Sequence, residues 1–362
     1  MNFIKNIFYF IILLSVIISI HELGHLIAAK LFGVYCKEYA IGMGPKIWSF
    51  KGKETEYSIR AIPMGGFVSM AGDQDSMLES DVEEEVPFER TLNGIAKWKR
   101  IIVMLAGIMM NMVLAIFIYS MVILSSGYYV KSTKPVITTI KENSPAEKAG
   151  LKKGDIVNTI AFENGMSVKP DTYFELITFT STYDGEGKWA ITVERESKKI
   201  TINVEPEYDE ENERYVVGMG FADSAIDIVE VNILNCFYYG FQYTMMILKL
   251  TISAFGSLLK GKNLETLSGP IGIYNTVAET TALGLDYYIQ LIAMISVNLA
   301  LVNILPLPVL DGGRVLLLII EIIIGKPLSE KAQTLIMNIS VAILLALLLF
   351  VTYNDISKLI GG

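Results

Sequence analysis

An apolar run that carries its own ionisable residues is the strongest constraint on this chain. From Ile4 to Ala29 the sequence is almost free of charge except for His21-Glu22-Leu23-Gly24-His25, and Lys30 closes the run. As a helix rising about 1.5 Å per residue it would measure about 39 Å, enough to cross a bilayer with some tilt. Lys5 ahead of Ile7 to Ile20 imitates a secretory leader. No small-residue cleavage site follows, however, and the run passes directly into HELGHLIAAKLF, so the segment reads as a retained span. Its two histidines are the only two among 362 residues. Ionisable groups at membrane depth are costly to keep and mark functional positions.

The rest of the chain divides by composition. Hydrophobic residues make up 52% of it, too many for one soluble domain, yet a long central stretch is polar. Ile101 to Leu124 is a second span, anchored by Lys97, Trp98, Lys99 and Arg100 at the interface. Between the two spans, residues 31–96 hold β-like pieces: Glu56 to Met70 alternates, then breaks at Pro63 and Gly65-Gly66, as a hairpin or bent strand lying against the membrane would. The acidic run Asp73 to Glu89 reads as a solvated loop.

Residues 134–222 form a polar, mostly-β insert. Val136 to Ile140 and Ile156 to Ile160 read as strands, with a short helix between them that has Ser144 as N-cap and Pro145 at its first position. Trp189 to Val193 and Ile200 to Val204 read as a hairpin. Asn232 to Lys260, broken by Asn235, Gln242 and Lys249, suits an amphipathic interfacial helix at least as well as a span. Tyr287 to Ile324 is long enough to cross but is interrupted by Asn303-Ile-Leu-Pro-Leu-Pro-Val-Leu-Asp-Gly-Gly313, which cannot continue a regular helix. Irregular backbone at membrane depth survives only where protein buries it or where it lines a wet cavity. Ile336 to Thr352 is a last span. The fold class is therefore a polytopic α-helical membrane protein with about four transmembrane helices (five if 232–260 crosses), a membrane-associated β element and the inserted domain. Its parts are 1–133, 134–222 and 223–362.

A net charge of −8 argues against nucleic acid as a partner. Cys36 and Cys236 stand far apart and suggest neither a disulfide framework nor a zinc-ribbon pattern. The sharper chemistry lies in HELGH. On a helix, residues four apart share a face, so His21 and His25 can hold one metal ion while Glu22 stands beside them to handle a proton. The plainer alternative, two buried helical histidines, is weakened by their isolation inside an apolar run. A hydrolytic zinc site takes three protein ligands and leaves one position open. With no third histidine, the candidates in apolar surroundings are Asp311, Glu321, Cys36 and Cys236. Asp311 at the helix break is favoured, since a cavity is expected there. Glu321 suits a hydrogen-bonding carboxylate, and a carboxylate with two imidazoles suits zinc better than a distant thiol. Asn303 has two readings of equal weight: it satisfies backbone groups left unpaired by Pro306 and Pro308, or it hydrogen-bonds a substrate carbonyl or oxyanion.

HELGH at the end of the first span and Asn303-x-x-Pro306-x-Pro308-x-Leu310-Asp311-Gly312 in a late one resemble the site-2 protease family, and more narrowly the bacterial regulator-of-sigma intramembrane zinc metalloproteases. Ser144-Pro-Ala-Glu-Lys-Ala-Gly-Leu-Lys-Lys-Gly-Asp155 resembles the PDZ domain those enzymes insert between spans. Leu267 to Ile271 and Ile62 to Phe67 also resemble family stretches. The resemblance covers nearly the whole chain, departing at Ile108, where the family commonly has Pro, and in showing a single PDZ-like segment.

It implies Zn2+ as cofactor, His21, His25 and Asp311 as its ligands, Glu22 as catalytic acid/base and Asn303 as a substrate-binding residue. Gly65, Gly66 and Phe67 would lie on a strand that pairs with the unwound substrate. It also implies transmembrane-segment protein substrates such as anti-sigma factors, remnant signal peptides or pheromone precursors. The location would be the bacterial inner membrane, with the active site toward the cytoplasm and the PDZ-like domain outside. On that topology eight near-membrane cations (Lys30, Lys37, Lys97, Lys99, Arg100, Arg314, Lys326, Lys331) face six outside (Lys5, Lys131, Lys134, Lys260, Lys262, Lys358), a small bias of the expected sign. The rival class is a metal-binding transporter or a non-catalytic PDZ-bearing scaffold. Transporters do use broken helices at mid-membrane, but Glu22 between two histidines is a protease arrangement, and inverted symmetry between halves is not apparent.

Overall fold

The computed structural model describes residues 2–73, 86–132, 134–163, 165–170, 172–182, 186–210, 214–221, 226–259 and 267–361. Most of the acidic run read as a solvated loop lies outside them, as do Lys260 and Lys262. The chain forms two compact units, Met1–Val122 with Phe237–Ile252 and Leu264–Gly362, and Ile123–Cys236 with Ser253–Asn263.

Long helices dominate the first unit. They are α1 (Asn2–Leu31), α2 (Lys97–Ser126), α5 (Cys236–Leu259), α6 (Pro270–Leu283), α7 (Leu285–Asn303), α8 (Asp311–Ile324) and α9 (Glu330–Gly361), with α2 and α5 running on into the second unit. Among the described residues, four stretches are long and apolar enough to cross a membrane: Phe3–Leu31, Lys97–Ser126, Leu285–Asn303 and Lys331–Ser357. The chain is thus a polytopic helical membrane protein. Helix α5 is not among the four. It packs on α2, with the Tyr119 and Tyr243 rings 4.7 Å apart and Gly240 against the Ser120 backbone, and Thr251 donates to Asn298 of α7 at 3.1 Å. Helix α6 corresponds to no segment that the sequence pattern marks as a helix. Its first turn is held by Asp355 of α9, a buried carboxylate that accepts from the N–H groups of Gly269 (3.0 Å) and Gly272 (2.9 Å), which supplies the acceptor that Gly269 as N-cap lacks.

Between α1 and α2 lie two strands, β1 (Cys36–Lys51) and β2 (Glu56–Met70), folded over so that each pairs twice. Tyr39, Ala40 and Ile41 sit between Val68, Phe67 and Gly66 on one side and Tyr57, Ser58 and Ile59 on the other. The latter segment also pairs with Trp48 to Lys51. The strand halves therefore run in the order 46–51, 56–60, 38–41, 66–69. Residues 66–69 form one edge of this sheet. Buried Glu38 fastens its middle, accepting from Ser58 (2.5 Å) and taking Arg60 on both carboxylate oxygens (2.9 and 2.8 Å). The C-terminal end of α1 packs on the sheet and α2 through Leu26, Ala29, Val34, Val68 and Val103, while its N-terminal half packs on α6 and α7 through Leu13, Ile17, Val277 and Leu291.

In the second unit β6 (Ser167–Val168), β5 (Ile156–Phe162), β7 (Trp189–Arg195) and β8 (Lys198–Val204) make an antiparallel sheet in that order. Helices α3 (Pro145–Lys148) and α4 (Tyr173–Thr182) accompany it, and Leu176, Phe179, Phe162, Trp189 and Ile191 fill the core. The pairs β4 (Thr139–Ile140) with β11 (Met219–Gly220), β9 (Glu207–Asp209) with β10 (Arg214–Val216), and β3 (Tyr128–Ser132) with β12 (Ile226–Glu230) complete it. Val136 to Ile140 is not one continuous strand: Ile137 N–H donates to Asp155 O and Thr138 N–H to Gly220 O, so the run divides its bonds between two neighbours.

Buried Asp155 is the polar anchor of this unit. It receives Arg195 on both oxygens at 2.7 Å and the Lys152 N–H at 2.9 Å, while Arg195 also donates to Gly150 O at 2.9 Å. Burial alone would raise the Asp155 carboxyl, but the Arg195 guanidinium and the Lys152 amide hold it below the usual carboxylate range. A carboxylate lowered in the folded state adds stability that is present above its unfolded pKa, near 3.9, and lost as pH falls through the folded value. Arg195→Ala should therefore cost this unit about 3 kcal/mol, the low end for one partner of a buried pair because the guanidinium is partly exposed. In hydrogen exchange on the whole chain at neutral pH, β5 and β7 amides should exchange faster in the variant, with α1 and α2 unchanged. Equal protection would show that the pair carries no stability.

Candidate metal centre

The HExxH turn lies on α1, nine-tenths buried: His21 is 7% and His25 6% exposed. Their Nε2 atoms are 3.2 Å apart, and Asp311 Oδ2 is 3.1 Å from that of His21 and 3.4 Å from that of His25. These three separations match the edge of a tetrahedron with bonds of about 2.0–2.1 Å, which is about 3.3 Å. They form the one group of three such residues, among those described, that could hold a metal ion. Asp311 Oδ2 is buried with no hydrogen-bond partner. Three lone-pair atoms turned toward one another repel unless a cation lies between them, so the donor set fits zinc in charge and kind.

Each element supplies its candidate ligand for a local reason. Residues four apart on α1 stack the two imidazoles on one face, 4.8 Å between ring centroids. Asp311 opens α8 after the segment 304–310, where Pro306 and Pro308 end α7 and the chain turns through Leu307 N–H to Leu305 O (2.8 Å) and Leu310 N–H to Leu307 O (2.7 Å). Gly312 and Gly313 lie so close to the backbone of Ile304 and Leu307 that a Cβ at either would collide with it. Behind the histidines runs α2, continuous through Ile108. A Cβ on Gly107 would fall 2.5 Å from His25 Nε2 and 2.8 Å from His21 Nε2, so only glycine admits both rings. His25 Nδ1 is 2.8 Å from the Val103 carbonyl, which leaves Nε2 free for a metal.

A cavity of about 600 Å³ opens onto this cluster, lined by His21, Glu22, His25, Phe67, Val68, Asn303 and Asp311. Glu22 accepts from the Val68 N–H at 3.1 Å, so an amide on the edge of the sheet is directed at it and not at a neighbouring strand. Gly66 lies against α1, a Cβ there falling 3.9 Å from the Glu22 side chain. Gly65 makes the bend with φ +90°, and the Phe67 ring carries the Arg60 guanidinium 4.9 Å from its centroid. Asn303, the last residue of α7, is 9% exposed. Thus Glu22, Phe67, Asn303 and the three metal candidates share one cavity. The other ligand candidates do not. Cys36 is buried with its thiol toward Val34 O (3.6 Å), Cys236 faces Ile233 O (3.4 Å), and Glu321 accepts from Leu328 N–H at 3.0 Å beyond the end of α8. Sequence reasoning missed Gly107 and Asn111, one turn apart on α2 and both against the histidines. Their only sequence signal is a small and a polar residue four apart in an apolar span.

Relatives that cover nearly the whole chain include three RasP proteases. The Regulator of sigma-W protease RasP of Bacillus subtilis is 32% identical over 99% of this chain and 99% of its own, and the zinc metalloprotease RasP of Bacillus licheniformis 32% over 97% and 98%. The zinc metalloprotease RasP of Geobacillus kaustophilus is 29% identical over 98% of each. Zinc is accordingly the cofactor, and neither a transporter nor a non-catalytic scaffold is favoured. With the profile of peptidase family M50 matching residues 9–347, the chain belongs to that family, the site-2 proteases, and is an intramembrane zinc metalloprotease.

Proposed function

We propose that His21, His25 and Asp311 hold the zinc ion and that Glu22 is the catalytic acid/base. The observation that carries this reading is the meeting of one unpartnered carboxylate oxygen with two imidazole nitrogens at 3.1 and 3.4 Å, beside Glu22 in a shared cavity. When bound, zinc polarises the scissile carbonyl and lowers the pKa of water to about 7. Glu22 takes the proton as water adds to the carbonyl carbon, then delivers it to the leaving amine as the C–N bond breaks. Asn303, at the rim of the helix break, hydrogen-bonds the substrate carbonyl or the oxyanion that develops from it.

A transmembrane substrate must first unwind, because its scissile carbonyl is tied into helical hydrogen bonds. The edge of the sheet at Gly66 and Val68 offers backbone groups to a strand laid beside it, and the Val68 N–H, now on Glu22, shows how near that edge runs to the acid/base. Gly65, Gly66 and Phe67 are thus substrate-binding residues, with Arg60 beneath Phe67 keeping the edge in place.

The substrates in this reading are single membrane-spanning segments in the bacterial inner membrane, such as those of anti-sigma factors or remnant signal peptides. The cytoplasmic side is assigned to Lys30 at the end of α1, Lys97, Lys99 and Arg100 at the start of α2, and Arg314 on α8. Residues 134–222 act as a PDZ-like module that selects substrates. Their antiparallel sheet, the Ser144-capped α3 and the longer α4 are elements such a module would use, and they hold no histidine.

Zinc content and cleavage of a transmembrane reporter, measured together, test the site. Glu22→Gln should keep zinc and lose cleavage by at least about 100-fold. Asp311→Ala should lose both, and Glu321→Ala should keep zinc. An active E22Q, or exchanged results for the two acids, would overturn the assignment. Replacing residues 134–222 with a short linker should leave a zinc-containing enzyme that cuts a short single-span reporter and also cuts forms with a bulky outer domain that the intact enzyme rejects. Unchanged discrimination would refute a selecting role.

A further inference from the structure

An imidazole that gives its Nε2 lone pair to a metal carries its one proton on Nδ1, and that N–H, buried, needs an acceptor. His25 has one, the Val103 carbonyl at 2.8 Å. His21 does not in the orientation described. Its Nδ1 faces the Asn111 amide nitrogen at 3.5 Å, so two donors would oppose each other, while Asn111 Oδ1 lies buried with no hydrogen-bond partner. A half-turn of the carboxamide about its last bond removes the opposition of donors and gives Oδ1 a partner, with Nδ2 taking the place that Oδ1 held. The two ends of the amide are nearly equal in size, and the half-turn sets Oδ1 where it accepts from His21 Nδ1–H.

We propose that Asn111 is the positioning residue of His21: its amide oxygen fixes the imidazole tautomer that presents Nε2 to zinc. This rests on His21 being a ligand. The residue is fully buried and is the third of a stripe on α2, Val103, Gly107 and Asn111, spaced by four and so on one face of the helix. Val103 orients one imidazole, Gly107 makes room for both and Asn111 orients the other. A single helix thereby meets both imidazoles with three residues of one face. The plainer role of a buried polar residue in a span is to join helices. Here that role belongs to the backbone: the Asn111 carbonyl accepts from Ser296 Oγ of α7 at 3.0 Å. Replacing the side chain leaves that bond in place, so the two roles separate.

The test uses the full-length protein in detergent, with zinc affinity read by competition against a chelator of known affinity and folding read from thermal unfolding of the zinc-free protein. Asn111→Leu should weaken zinc binding by on the order of 10–100-fold with the zinc-free melting temperature unchanged. Asn111→Asp, which retains an acceptor, should stay within a few-fold of the native chain. Ser296→Ala should lower the zinc-free melting temperature with little effect on zinc affinity. His21→Ala is the control for the underlying assignment: if it binds zinc as the native chain does, the ligand assignment fails, whatever Asn111 does. If His21→Ala loses zinc while Asn111→Leu binds it natively, or if Asn111→Asp is as impaired as Asn111→Leu, the positioning role is refuted. Should Asn111→Leu not fold, Asn111→Ala, which also lacks the acceptor, replaces it with the same expectation.

Discussion

Two imidazoles and a carboxylate from opposite ends of the sequence turn their lone pairs on one point, and much of the first unit follows from making that possible inside a membrane. Without a cation the arrangement is repulsive, and the burial of all three groups limits the solvation that could relieve it. The histidines come from a continuous helix and the carboxylate from a broken one. A continuous helix spends its carbonyls on itself and holds side chains in register, which suits a two-ligand motif. The break at 304–310 frees backbone to turn and lets Asp311 enter from the side.

The close approach of helices keeps that geometry narrow. A Cβ on Gly24 of α1 would meet the Ala106 carbonyl and Met110 of α2, and one on Gly107 would meet the imidazoles, so glycines on both helices let α1 and α2 touch at the level of the ligands. On the opposite side, Tyr39 of the sheet donates to the Ser19 carbonyl of α1 at 2.7 Å, and Ser15 donates to Pro63 O at 2.7 Å. These bonds fasten the folded-over sheet along α1, with its 66–69 edge beside Glu22. The two candidate histidine ligands, the proposed acid/base and the edge assigned to substrate are therefore held by or against α1.

What could be read from the sequence was what depends on local pattern. HELGH is a four-residue relation on one helix, and Asp311 stands out because two prolines and two glycines beside it mark a break. The Asp155–Arg195 anchor and the second pairing of β1 are not local. Gly42, Gly44 and Pro45 interrupt the alternation of β1, and Ile47, Trp48 and Phe50 are exposed, so the pattern of a half-buried strand is blurred there. Helix α6 carries Thr276, Thr280 and Thr281, whose hydroxyls return to carbonyls three or four residues back, and its polar composition hides it among connecting segments. Gly107 and Asn111 acquire meaning only once α2 is laid across α1. Neither composition nor periodicity could single them out.

The central claim, that two imidazoles and one carboxylate hold the metal, is tested most directly by X-ray absorption at the zinc edge of the purified full-length protein. A His-His-Asp site predicts only nitrogen and oxygen neighbours, at about 2.0–2.2 Å, with the outer-shell scattering of two imidazole rings. A sulfur neighbour at about 2.3 Å, which would bring Cys36 or Cys236 to the metal, or scattering from fewer than two imidazoles, would contradict it.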